Sequence, residues 1–198
     1  MRHRIRVALM TAVLICVSLA SVGETTHLVG WTETLELSWS WFLATPPSNA
    51  SPSDVASIFM DLKWTAPYEV KRNGSSWIGY TTAAIVSNTM NPKLSWVRRS
   101  AVTPAALRHE AYLFRLNEVY RRKAEAALLA VSVTGRTAEE TKALLHQRIQ
   151  EVADAYLAKA DAMAYSCEAE TNSGSNLAAQ ATWEQKIDAW LIDPSLAP

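Results

Sequence analysis

The run Arg108-His109-Glu110-Ala111-Tyr112-Leu113 sets an imidazole and a carboxyl side by side on what the surrounding pattern makes a helix. In an H-E-x-x-H helix, two imidazoles one turn apart reach a single metal ion, and the Glu between them polarises the bound water. His109 and Glu110 supply the first two groups, but Leu113 stands where the second imidazole belongs. Ala106, His109, Leu113, Leu116, Tyr120, Ala124, Ala127 and Val131 recur at helical spacing and share one face. His109 and Leu113 therefore both face the interior. An isobutyl group offers no lone pair, so the helix alone favours a core histidine over a metal ligand.

More of the chain bears on the question. Leu107-Arg108-His109-Glu110 with Phe114, Glu118 and Tyr120, preceded by Leu94-Ser95-Trp96-Val97, resembles the predicted secreted zinc-dependent proteases of bacteria, a domain of formally unknown function. Glu170-Thr171-Asn172-Ser173-Gly174, then Gln180, Trp183 and Ile187, is similar to that family's E-T-x-H-G segment and following helix. Leu37-Ser38-Trp39-Ser40-Trp41-Phe42 resembles its opening strand. The resemblance spans about residues 33 to 192. It implies His109 as first metal ligand, Glu110 as general base, and further ligands at positions 113 and 173. Those positions hold Leu113 and Ser173, and Arg115 stands where the family often has an acid. A framework kept around two lost ligands reads as a degenerate site.

Two carboxylates flank the segment expected to approach His109. Glu168 and Glu170 are the substitute metal ligands, since carboxylates also bind zinc. A polar loop end accounts for both equally well. His146 lies beside the inner face of its helix and reads as a surface or boundary histidine. No cofactor is expected, except zinc if the metal site survives. The function expected is a non-catalytic binding or structural role in the cell envelope, an inactive relative of the proteases. The alternative is an active zinc metallopeptidase using His109 with carboxylates and Glu110 as general base.

These residues need elements to hold them. Residues 1–23 open with Arg2, His3, Arg4 and Arg6, continue through an apolar run and end in small residues, the pattern of a secretory signal. Residues 24–198 then form one zincin-like domain, periplasmic or secreted. The expected fold is α+β: an N-terminal antiparallel β-sheet over about 33–98, then a zincin-like helical hairpin over about 104–132 and 137–165, and a C-terminal helix over about 177–192. Alternation predicts strands over 35–43 and 56–64, Asn73-Gly74 a turn, 77–86 an apolar strand, and 93–97 a short edge strand. Thr45 to Asp54 carries three prolines and reads as loop. Thr103-Pro104 caps the first helix, Gly135 closes it, Thr137 to Glu140 caps the second, and Asn176 the third.

Composition narrows the partners. The chain has 19 basic and 19 acidic residues; removing residues 1–23 takes three arginines and no acid, leaving about −3. That balance gives no electrostatic case for nucleic acid. The first helix is basic, and the acids of the second are expected to pair with it. Only Cys167 remains after the signal, so no intrachain disulfide can form and the thiol reads as a small buried hydrophobe. Six of the eight tryptophans fall in the sheet half, where their alternation reads as packing. The expected partner is a protein or peptide of the envelope, with no membrane span after signal cleavage.

Overall fold

The computed structural model describes residues 27–198 apart from Pro52. The expected signal segment, residues 1–23, lies outside them. The fold is α+β, with antiparallel sheets in the N-terminal half followed by three helices. The strands are β1 (Val29–Gly30), β2 (Ala56–Ser57), β3 (Met60–Thr65), β4 (Tyr68–Asn73), β5 (Ser76–Thr81), β6 (Ile85–Met90), β7 (Trp96–Val97) and β8 (Ser132–Gly135). They form three small sheets, ordered β1-β6-β3, β2-β7 and β4-β5-β8. The helices are α1 (Pro104–Leu129), α2 (Ala138–Thr171) and α3 (Leu177–Ile192). No helix among the described residues is long and apolar enough to cross a membrane.

The expected strand over 35–43 does not form. Trp39–Trp41 make a single 3₁₀ turn instead, with Trp41 N–H donating to Ser38 O at 3.0 Å and Ser40 N–H to Ser38 Oγ. A serine side chain competes with a ladder for backbone groups, and here the local turn wins. The alternation still has a purpose, since Leu35, Leu37, Trp39 and Trp41 pack on the core from one side.

The strand expected over 56–64 splits into β2 and β3. At the break, Ile58 N–H goes to Glu110 Oε2 and Phe59 N–H to Ser95 Oγ, both at 2.9 Å. Backbone donors given to side chains are lost to the ladder. The run 77–86 likewise divides between β5 and β6, because Thr81 N–H turns to Val131 O and Thr82 N–H to Pro67 O. Asn73-Gly74 does form the β4–β5 turn, with Gly74 at φ 61°. Its left-handed backbone suits glycine.

Between α1 and α2 the chain makes a strand, not a bare link. Gly135 does not close α1, which ends at Leu129; it ends β8, opposite Trp77 of β5. A Cβ at Gly135 would lie 2.5 Å from Thr141 Oγ1 and 3.0 Å from Thr141 N, so only glycine lets β8 run this close under the start of α2. Thr137 caps α2 by accepting Glu140 N–H at 3.1 Å.

α2 continues six residues past the expected end near 165, carrying Glu168, Glu170 and Thr171 on helix, not loop. The basic flank of α1 finds its carboxylate partners on α1, on α3 and at Glu33, not on α2. Arg121 and Arg122 pair with Glu118, Arg108 with Glu184, and Arg115 with Asp188. α2 packs along the other side of α1, where Leu145, Ile149 and Ala153 meet Ala124 and Leu128. A larger cluster of Phe42, Leu62, Met90, Leu113, Phe114, Leu116, Trp183 and Ile187 joins α1, α3 and the sheets. Cys167 is buried, and its burial pushes the thiol up to about 12.

Gly135→Ala should cost about 1–3 kcal/mol, the usual range for overpacking a close contact. A urea midpoint equal to the parent's would mean that α2 can lift off β8 freely.

Candidate functional site

Thr103 Oγ1 accepts Ala106 N–H at 3.0 Å and Pro104 sets the first turn, so α1 starts at a fixed point. Its second turn then drives His109, 1 % exposed, and Glu110, 4 % exposed, into the interior. Glu110 Oε2 takes Ile58 N–H at the break between β2 and β3. Burial is the main force on this carboxyl and the nearby charge of Glu168 the second; against the pull of His109 and the Ile58 N–H, they push it up to about 7. At mildly acidic pH it holds its proton.

His109 is gripped from both ends. Nδ1 donates to Gln180 Oε1 at 2.9 Å, and Gln180 Nε2 donates to Glu184 Oε1 at 3.1 Å. Arg108 clasps the Glu184 carboxylate with Nε at 2.7 Å and with Nη2. The relay leaves one assignment for the amide, with its oxygen toward the ring, and hence one for the proton on Nδ1. Nε2 lies 3.3 Å from Glu168 Oε2, at ion-pair distance but out of line for a hydrogen bond. Burial is the largest influence on the ring and lowers its proton affinity; Glu168, Glu110 and Gln180 together outweigh it and leave the value raised.

The turn after α2 closes over the imidazole. Asn172, Ser173 and Gly174 have φ of 48°, 52° and 80° in succession. A Cβ at Gly174 would lie 2.7 Å from His109 Cβ, so this glycine is required twice, for its backbone and for its contact. Thr171 Oγ1 accepts Gly174 N–H at 3.2 Å and donates to Cys167 O at 2.6 Å, locking the turn.

The sequence-derived residues separate on this frame. His109, Glu110 and Glu168 come together. Glu170 does not join them: its Oε2 accepts Trp183 Nε1–H at 2.9 Å and ties α2 to α3. Leu113, at a ligand position of the resemblance, is 3 % exposed within the larger core cluster. Ser173, at the other, is exposed in the left-handed turn. His146 is exposed and meets Tyr68 edge to face, with ring centroids 4.8 Å apart. Among the described residues no three His, Cys, Asp or Glu are grouped to share a metal ion. The donors present thus fall short of a zinc site, which takes at least three protein ligands.

Sequence reasoning missed the role of Glu184 and Arg108. Their signal was Gln180 and Glu184 one helical turn apart on a face that also carries Trp183 and Ile187. A carboxylate on an otherwise apolar face asks for a cation, and Arg108 is the residue beside His109.

An unfolded glutamate loses its proton near 4.5, whereas Glu110 keeps it to about 7. Stability is therefore full below the lower value and falls as pH rises through the window between them, by about 3 kcal/mol at 1.36 kcal/mol per pH unit. His109, raised above 6.5, acts in the same direction, its share being lost as pH climbs past the folded value. Glu110→Gln should keep the Ile58 contact and flatten most of the fall in urea midpoint between pH 5 and pH 8. An undiminished pH dependence in that variant would show that Glu110 is not its source.

No family model matches the chain, and no curated protein or solved structure matches it.

Proposed function

We propose that the chain is a non-catalytic bacterial envelope protein, exported by its N-terminal signal and built on a scaffold resembling the predicted secreted zinc-dependent proteases. Its role on this reading is binding or structural. One observation carries it: the second ligand position is sealed, with Leu113 only 3 % exposed among core side chains. A leucine there offers no lone pair to a metal. The remaining groups have structural employment in support of the same reading. Glu110 pins α1 to the β2–β3 break, and His109 pins it to the ends of α2 and α3.

The competing reading is a zinc metallopeptidase with His109 and Glu168 as ligands and Glu110 as general base. It draws on the 3.3 Å approach of Glu168 Oε2 to Nε2, and on Nδ1 being held by Gln180 as second-shell groups hold a ligating imidazole. Glu170, bonded to Trp183, has no part in it.

Elemental analysis of the purified domain, after dialysis against a weak chelator, separates the two. The scaffold reading predicts far less than one zinc per chain from a folded protein, and no peptide cleavage that Glu110→Gln abolishes. Near-stoichiometric zinc that disappears in His109→Ala would overturn it. Leu113→His combined with Ser173→His should create zinc retention that the parent lacks, provided the backbone has kept the geometry that the resemblance implies.

A further inference from the structure

Sheet β1-β6-β3 has an unfinished edge. β1 covers only two residues of β6, pairing Val29 with Met90 and Gly30 with Thr89. Trp31 N–H adds one bond to Asn88 O at 3.0 Å, after which the chain turns off at Thr32. Beyond that point no strand among the described residues lies along this edge of β6, whose other edge pairs with β3, yet the backbone of Val86 is not bare. Its N–H donates to Glu125 Oε1 at 3.3 Å, and its C=O accepts from Arg121 Nη1 at 3.2 Å. Arg121 and Glu125, one turn apart on α1 and bonded to each other at 2.7 Å, thus present one donor and one acceptor as a neighbouring strand would.

A groove of about 510 Å³ opens along this edge, with Trp31, Glu33, Ser87 and Arg122 among its walls. Residues 85–87 offer about 10 Å of strand at ~3.4 Å per residue, enough for three or four residues of extended chain. The charge available there is negative. Arg121 is spent on Glu118, Glu125 and Val86 O, and Arg122 on Glu118 and Leu191 O. The Glu33 side chain, in contrast, is 80 % exposed and among the described residues meets Arg122 at 3.4 Å. Ile85, 62 % exposed, adds an apolar neighbour at the far end.

We propose that this slot binds an extended, lysine-bearing peptide segment of a partner protein, which adds to β6 along the line of β1. The incoming backbone takes over the Val86 N–H and C=O, the Arg121–Glu125 pair swings out intact, and a lysine meets Glu33. The main-chain bonds set the register, and the Glu33 carboxylate selects the side chain. The site is remote in chemistry from the His109 cluster, so its fate is independent of the metal question.

Fluorescence anisotropy with a labelled Lys-Val-Lys-Val-Lys-Val peptide tests it on the folded protein. Two controls are the same peptide N-methylated at alternate amides and its Glu-Val counterpart. The parent should bind the first at least tenfold more tightly than either control, and Glu33→Lys, at an exposed position, should weaken that binding about tenfold. Amide chemical shifts should move at Val86 and Ser87 and not at His109. The proposal is overturned by absence of binding up to about 1 mM, the weak end of specific association. It is equally overturned by undiminished binding of the N-methylated peptide, by an unchanged Kd in Glu33→Lys, or by shifts located elsewhere.

Discussion

A carboxyl group removed from water must be neutralised by a proton, matched by a cation, or given hydrogen bonds in place of hydration. Glu110 uses the first and third, and the geometry of the interior follows from that requirement. Its oxygen needs a backbone N–H, and the β2–β3 strand breaks to provide the one from Ile58. Its neighbour His109 is held by the ends of α2 and α3, which bring Gln180 to Nδ1 in a hydrogen bond and Glu168 to Nε2 at ion-pair distance. Remove the carboxyl, and the start of α1 would lose its hydrogen bond to the β2–β3 break, while Asn88, Arg121 and Glu125 would still hold the middle of the helix to β6.

The arrangement also shows how a buried imidazole is held beside an apolar neighbour. Leu113 joins the core and adds packing, while the imidazole at 109 bonds Gln180 through Nδ1 and faces Glu168 at 3.3 Å through Nε2. Such a cluster holds its shape through protons and amides. Groups arranged this way contribute to stability through the contacts they make.

Legibility in the sequence followed the range of the interactions. The helix starts were readable because Thr103, Thr137 and Asn176 act within three residues of themselves, as was the Asn73-Gly74 turn. The buried face of α1 was readable because its period is local too. His109, Glu110 and Glu168 were found together, but Glu170 was separated from them by the indole of Trp183, thirteen residues on. The failures lie where a distant group captured a backbone donor. Glu110 interrupts β2–β3 from 52 positions away, and Val131 ends β5 from 50. Residues 35–43 mislead for another reason: alternation records which side is covered, and a turn-rich segment laid on a core is covered on one side as surely as a strand.

β8 carries a consequence for how the chain must assemble. It lies between the two long helices in sequence and completes the sheet begun by β4 and β5, more than fifty residues earlier. The hairpin β4–β5 can form early from near neighbours, but its third strand arrives only after all of α1 has been made, and α2 begins at once behind it. Neither half can be finished without the other. The molecule should behave as one cooperative unit, in which a nick anywhere between Leu129 and Ala138 releases sheet edge and helix start in a single event.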